Sequence, residues 1–188
     1  MNAVNMNKSI TSQGGFSLLE LMIVVSVIGM LAAGAYALAP GLMSSVGSTN
    51  EIKKVEAISQ RILSVYDKAS NFSGLDDAVA MNLSVFPEDM VDGSNVYNRW
   101  NGEVTIAVAN DLQGNANRAF TVTSDEVPVD ACSEMATGQA GAARVQVGAA
   151  GSTGGTTTYL KDTGVNMSSV STACASGPVS ITYLYEKR

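Results

Sequence analysis

The sequence predicts an α+β protein in which a long N-terminal α-helix packs on an antiparallel β-sheet. Three features predict this fold class. Residues 16–39 are almost entirely apolar, the segment that starts at Glu51 has the spacing of an amphipathic helix, and the second half of the chain holds short β-forming runs between turns. The 188 residues suit one globular domain and one N-terminal helix.

The apolar stretch, residues 16–39, is 24 residues long and carries a single charge, on Glu20. A helix of this size is about 36 Å long, compared with roughly 30 Å for the hydrocarbon core of a bilayer. Its length therefore predicts a transmembrane helix. A carboxylate inside such a stretch costs on the order of a few kcal/mol at the bilayer centre, so we expect Glu20 to have a partner or a function.

The residues around the start of this stretch resemble the processing site of type IV prepilins. Gly14 and Gly15 form an accessible dipeptide, and residues 15–20 read Gly-Phe-Ser-Leu-Leu-Glu. The resemblance implies that a membrane-embedded prepilin peptidase cleaves after Gly15, removes residues 1–15 as a leader and methylates the new amine of Phe16. It also implies that Phe16 and Glu20 serve filament assembly.

Two other interpretations of the apolar stretch stay open. One is a secretory signal peptide, because residues 35–37 and 37–39 both have the small-x-small form of a signal-peptidase site. The length of the stretch, Glu20, and the position of Pro40 directly after the second site argue against it. The other is an ordinary transmembrane anchor, which explains neither the two glycines nor Glu20.

The leader and the segment after the apolar stretch contain few regular signals. Lys8 is the only cation before Lys53, so the positive-inside rule favours a cytoplasmic N-terminus and an exported C-terminal domain. Pro40 removes a backbone donor and Gly41 has low helix propensity. We therefore expect the helix to kink, loosen or fray between residues 39 and 50.

An amphipathic helix is predicted from Glu51 onward, with Asn50 as its N-cap if the helix restarts there and Gly74 as its stop. Its apolar residues recur at spacings of three and four: Ile52, Val55, Ile58, Ile62, Val65, Tyr66 and Ala69. Charged side chains occupy the other faces. Such a helix packs its apolar face on a globular domain.

Short strands and helices are predicted in the rest of the chain. The predicted strands are residues 103–109 and 118–123, which form a hairpin, and residues 143–147, 157–160 and 179–185. The predicted helices are residues 75–81, a helix capped by Ser124 or Asp125 that continues through Cys132 to about Thr137, and residues 166–175, which include Cys174.

Composition excludes several classes of function. A net charge of −6 provides no basic face for nucleic acid, and a chain without histidine has no histidine-based catalytic site. The glycine-rich residues 138–155 lack the Gly-Lys-Ser/Thr arrangement of a phosphate-binding loop. No catalytic residues, metal site or cofactor are predicted. In an exported chain, the two cysteines, Cys132 and Cys174, predict one disulfide, the alternative being two free buried thiols.

Several segments of the domain resemble type IVb pilins, a group that includes the bundle-forming pilin and the pilins of conjugative thin pili. The resemblance lies in residues 73–77, 86–87 and 100–104, and in the position of one cysteine after the first hairpin and one before the last strand. It implies the ladle fold of type IV pilins, with a disulfide-closed region at residues 132–174. Phe16 and Pro40 depart from the subclass pattern.

The resemblance implies four segments: leader 1–15, filament-core helix 16–39, amphipathic half 40–70, and globular head 71–188. It implies a non-enzymatic pilus subunit that polymerises with copies of itself and is used for adhesion, aggregation or conjugative contact with a host or recipient cell. The implied partners are the prepilin peptidase, an inner-membrane assembly platform and an outer-membrane secretin. The implied location is the bacterial inner membrane for the precursor and the cell surface for the filament. A pseudopilin of a type II secretion system, a minor pilin and a membrane-anchored enzyme stay open as alternatives.

Overall fold

The computed structural model describes residues 17–138 and 140–187, and for residues 35–45 it describes the backbone alone. The chain divides between Pro40 and Gly41 into two compact units. The elements in chain order are α1 (Leu18–Val65), α2 (Asp77–Asn82), a 3-10 helix (Glu88–Met90), β1 (Val91–Asp92), β2 (Asn95–Val96), β3 (Val104–Ala109), β4 (Ala119–Val127), α3 (Val129–Thr137), β5 (Arg144–Ala149), β6 (Thr156–Leu160), β7 (Gly164–Val165), α4 (Met167–Ala173) and β8 (Val179–Glu186). Within the described part of the chain, no helix has both the length and the apolar character needed to cross a membrane.

Helix α1 continues through residues 39–50, where the sequence predicts a break. The backbone is helical at residues 39–50, so the expected fraying there and the expected N-cap at Asn50 are wrong. Gly47 and Ser48 are buried against the head. Tertiary packing of this kind outweighs the low helix propensity of a glycine.

The end of α1 also differs from the prediction, because the helix stops nine residues before Gly74. The chain leaves the helix so that Phe72, which is 1% exposed, enters the core. The ring of Phe72 lies 5.4 Å from that of Tyr66 and 4.9 Å from that of Phe120, measured between centroids. Burial of this aromatic cluster ends the helix earlier than the pattern of apolar residues indicates.

A six-stranded antiparallel sheet, in the order β3-β4-β8-β5-β6-β7, forms the body of the head. The predicted hairpin of β3 and β4 is confirmed, with Val104 opposite Ser124. The last strand, β8, lies between β4 and β5. It is therefore a central strand, and every residue from Val179 to Tyr185 is buried.

Strand β4 extends further than the sequence predicts. Ser124 and Asp125, the expected helix caps, lie inside this strand, and α3 begins only after Pro128. The pairing of β4 with β8 shifts register between Ser124 and Val127. A bulge of this kind lets a strand bend and continue where regular pairing would stop.

The core of the head lies between one face of α1 and one face of the sheet. Val55, Ile58 and Ile62 of α1 are at most 2% exposed and belong to one hydrophobic cluster with Phe120 and Tyr185 of the sheet. The amphipathic spacing read from the sequence is thus confirmed for the part of α1 that packs on the sheet. Burial of side chains of this size contributes about 1.5–3 kcal/mol each.

Candidate assembly surface and disulfide-closed region

The predicted processing residues Gly14, Gly15 and Phe16 lie outside the described residues, so cleavage and methylation stay predictions. Glu20 is described. It is exposed and lies in the first turn of α1. A carboxylate in the first helical turn interacts favourably with the helix dipole, by less than about 1 kcal/mol.

Exposed apolar side chains surround the N-terminal part of α1, and we call residues 18–34 the apolar helix surface. Eleven of its large side chains are 50–78% exposed: Leu18, Leu19, Leu21, Met22, Ile23, Val24, Val25, Val27, Ile28, Met30 and Leu31. The hydroxyl of Ser26 donates to the carbonyl of Met22 at 2.7 Å, so this polar group is satisfied within the helix. A helix that is apolar on all sides needs to bury its whole circumference.

The disulfide joins α3 to α4. Cys132 is fully buried in α3 and Cys174 caps the C-terminus of α4, with their Cα atoms 5.7 Å apart. The pairing predicted from the sequence is therefore confirmed. The loop that the disulfide closes contains β5, β6 and β7, which are the three strands at one edge of the sheet.

Hydrogen bonds also join α3 to the sheet. The phenol of Tyr183 donates to the carbonyl of Met135 at 2.8 Å, and the hydroxyl of Thr158 lies 3.3 Å from the carbonyls of Ala136 and Val145. Burial raises the pKa of Tyr183 well above its usual value. Tyr183 is thus neutral and acts as a donor at physiological pH, a role that its position in the sequence did not reveal.

Asp125, at the bulge in β4, connects this strand to β8 and to the loop that follows β5. Its carboxylate accepts hydrogen bonds from the hydroxyl of Ser180, at 2.5 Å, and from the backbone N–H of Gly151, at 2.8 Å. Burial raises the pKa of this carboxyl, but the hydrogen bonds from Ser180 and from the backbone of Gly151 and Glu126 together lower it by more, so the net pKa lies below its ordinary value. Asp125 therefore stabilises the fold as an anion.

Asn98 fixes the loop before β3 to the same bulge. Its amide nitrogen donates to the hydroxyl of Ser124 at 2.9 Å and to the carbonyl of Asp125 at 2.6 Å, while its oxygen accepts from the backbone of Gly102 at 2.9 Å. Gly102 lies so close to β4 that a Cβ there would be 2.0 Å from the carbonyl oxygen of Asp125. The loop thus needs glycine at this position.

Across the described ranges, no three His, Cys, Asp or Glu residues lie close enough together to hold a metal ion. The described residues instead show a disulfide-closed head and, in residues 18–34, an unburied apolar surface.

Comparison with solved structures defines the class of fold. The chain is similar to the crystal structure of type IV b pilin from Salmonella typhi, with a TM-score of 0.56 and 17% identity over 74% of this chain and 99% of that chain. It is also similar to the crystal structure of TcpA, a type IV pilin from Vibrio cholerae El Tor biotype, with a TM-score of 0.51 and 12% identity over 79% of this chain and 100% of that chain. At these identities the likeness establishes the fold, which is the type IV pilin fold predicted from the sequence.

The family follows from sequence comparison. The model described as PilS N terminal matches residues 45–184, and the prokaryotic N-terminal methylation motif matches residues 10–36. This chain belongs to the PilS N-terminal family and is a type IVb-like pilin.

Curated relatives support the same class. Over 125 residues the chain is 27% identical to the major structural subunit of bundle-forming pilus of Escherichia coli O127:H6 (strain E2348/69 / EPEC), and equally to that of Escherichia coli O111:H-. The match includes 65% of this chain and 63% of the relative's length.

Proposed function

We propose that this chain is the major structural subunit of a type IVb pilus, which polymerises through α1 into a filament on the bacterial surface. The observation that carries the proposal is the apolar helix surface. Its eleven exposed large apolar side chains, at 50–78% exposure, belong to a helix that also enters the core of a disulfide-closed pilin head. Packing of these helices against each other would bury the surface on all sides.

Processing would prepare the helix for packing. Cleavage after Gly15 by a prepilin peptidase removes the polar leader and leaves Phe16, whose amine is then methylated, as the first residue. The methylation motif that matches residues 10–36 supports this step. Cleavage creates an α-amine that stays largely protonated near neutral pH, next to a helix that otherwise carries one carboxylate, on Glu20.

Glu20 would select the register of an incoming subunit. It lies four residues after Phe16, a spacing that would place both residues on one face of a helix that begins at Phe16, and its carboxylate would also pair with the amine of a neighbouring subunit. A charge that is surrounded by apolar helices and has no partner costs several kcal/mol. Only cleaved subunits would offer the amine, so the pair would exclude precursors from the filament.

The precursor would be held in the inner membrane by residues 16–39, with the head outside the cytoplasm. An inner-membrane assembly platform would receive processed subunits and an outer-membrane secretin would pass the filament to the surface. The relatives are named as the major structural subunit of bundle-forming pilus, which supports a pilus filament. That filament would be used for adhesion, aggregation or conjugative contact with a host or recipient cell. The disulfide fits a head that stays outside the reducing cytoplasm.

The proposal is tested by blocking the processing step. Gly15→Val places a branched side chain where the peptidase needs none, so we expect a longer, membrane-held precursor and no filaments. Ser12→Val, a leader substitution three residues away, is the control and should leave filaments at the wild-type level. Filaments sheared from wild-type cells should contain this chain as their main component. If this chain is absent from the filaments or a trace component of them, the proposal of a major pilin is wrong and a minor pilin or pseudopilin is favoured.

A further inference from the structure

The loop before β3 contains the one Asn-Gly dipeptide of the sequence, Asn101-Gly102. An asparagine followed by glycine deamidates faster than other asparagines, because glycine has no side chain to hinder the ring closure that starts the reaction. Asn101 is exposed to solvent, so water reaches its side chain. The loop therefore holds the pair of residues that is most prone to this reaction.

The fold demands this pair of residues. Asn101 has a positive φ of 64°, a left-handed conformation that asparagine and glycine adopt more readily than other residues. Gly102 is buried, and a Cβ there would lie 2.0 Å from the carbonyl oxygen of Asp125. Few residues suit position 101 and only glycine suits position 102, so the head needs another way to keep the pair intact.

Deamidation of Asn101 would begin at the backbone nitrogen of Gly102. This nitrogen gives up its proton and attacks Cγ of Asn101. The new N–Cγ bond closes a succinimide ring, and the side-chain nitrogen leaves as ammonia. Water then opens the ring at either carbonyl and gives aspartate or isoaspartate. The net reaction consumes water and releases ammonia, and it needs no oxidant or reductant.

Asn98 holds the attacking nitrogen in place. The N–H of Gly102 donates to Oδ1 of Asn98 at 2.9 Å, and the N–H of Asn98 donates to the carbonyl of Gly102, also at 2.9 Å. Asn98 is itself 6% exposed and is fixed by its bonds to Ser124 and Asp125. Before the nitrogen of Gly102 can lose its proton and reach Asn101, a buried hydrogen bond must break, which costs free energy.

The β1–β2 hairpin provides an unguarded counterpart. Its turn contains the one Asp-Gly dipeptide of the sequence, Asp92-Gly93, and both residues are exposed. Within the described part of the chain, no backbone carbonyl accepts from the N–H of Gly93, and a Cβ at Gly93 would meet nothing within 4 Å. The two dipeptides thus differ in whether the nitrogen of the glycine is held.

We propose that Asn101 is a latent deamidation site of the head and that Asn98 protects it while the loop stays folded. Asn98 is a positioning residue, because it holds the nitrogen of Gly102 and forms no bond in the reaction. Isoaspartate at position 101 would add one carbon to the backbone between Asn98 and Gly102, so the two bonds between these residues would lose their geometry. This protection is a property of the head and does not depend on filament formation.

Ageing of the purified full chain in detergent at mildly alkaline pH tests the role of Asn98, with deamidation at Asn101 followed by peptide mass spectrometry. We expect Asn98→Ala to deamidate at Asn101 at least tenfold faster than the wild type, because the N–H of Gly102 loses its acceptor. Tyr183→Phe is the matched control: it removes a buried hydrogen bond elsewhere in the head, to the carbonyl of Met135, and should keep the wild-type rate. If Asn98→Ala reacts no faster than Tyr183→Phe, the proposal is wrong.

A comparison within one folded chain covers the case in which Asn98→Ala fails to fold. Asp92→Asn turns the exposed hairpin turn into a second Asn-Gly sequence, and asparagine is common in such turns. We expect position 92 to deamidate at least tenfold faster than Asn101 in the same sample, and unfolding in urea to bring the two rates within about twofold of each other. Equal rates in the folded chain, or a tenfold difference that persists in urea, would overturn the proposal. Neither measurement uses filaments, so either result leaves the proposed function intact.

Discussion

Two carboxylates of this pilin, on Glu20 and Asp125, lie in different environments. Glu20 is an exposed carboxylate on an apolar helix, whereas Asp125 is a partly buried carboxylate held by Ser180 and Gly151. The structure supplies a partner for Asp125 within the head. For Glu20 we propose that the partner comes from the cleaved N-terminus.

Glu20→Gln separates charge pairing from a simple helix effect. The substitution keeps the size and hydrogen-bonding capacity of the side chain but removes its charge, so we expect normal cleavage and few or no filaments. Electron microscopy of cells and immunoblotting of the cleaved subunit measure the two steps. Wild-type filament number with Glu20→Gln would show that the charge pair is not needed for assembly.

Asp125→Asn should make the stability of the head less dependent on pH. Because the pKa of Asp125 in the folded chain lies below its ordinary 3.8, its stabilising effect is present above that value and is lost as pH falls through the folded pKa. We expect a loss of about 1 kcal/mol at pH 7, given partial exposure, and a loss that shrinks as the pH falls through the folded pKa. Urea unfolding from neutral to acidic pH measures it, with Glu126→Gln as the neighbouring control. A loss of equal size at neutral pH and at the acidic end of this range would contradict the account.

At the scale of elements, the sequence predicts what is encoded locally. The β3–β4 hairpin, α2, and the amphipathic face of α1 all follow from periodicity and turn residues close in the chain. The expected export of the domain and the cysteine count likewise predicted the disulfide between Cys132 and Cys174.

Elements that depend on distant contacts were missed or misplaced. Helix α1 ends at Val65 because Phe72 packs against Phe120, about fifty positions later in the chain. Strand β4 passes Ser124 because β8 pairs with it, and the bonding role of Asp125 requires Ser180 nearby. No local pattern specifies these pairings, and two-residue strands such as β7 are too short to be read from a sequence.

Removal of the disulfide should destabilise the head strongly. The bond closes a loop between cysteines separated by 42 residues, for which the chain-entropy model gives about 4 kcal/mol. We expect Cys132→Ala/Cys174→Ala to lose stability by this amount in urea unfolding of the full chain in detergent. The wild type measured with a reductant should lose a similar amount. A loss under about 1 kcal/mol in both cases would mean that hydrogen bonds such as that from Tyr183 to Met135 hold the region without the bond.

At the scale of the whole molecule, the two units present different chemistry. The head has a hydrophobic core, an acidic net charge and a covalently closed edge. The N-terminal part of α1 presents apolar side chains around its circumference. In the proposed filament, burial of the apolar helix surface would supply the free energy of assembly, and the heads would form the filament surface.

Mass spectrometry of the subunit in sheared surface filaments tests the central claim most directly. Our account predicts that this chain is the main component and begins at Phe16 with one methyl group on its amine, so that it contains 173 of the 188 residues. The mass of the subunit reports the cleavage site, and its recovery from filaments reports assembly. A filament subunit that begins at Leu38 or at Pro40, as cleavage by a signal peptidase would give, or filaments without this chain, would contradict it.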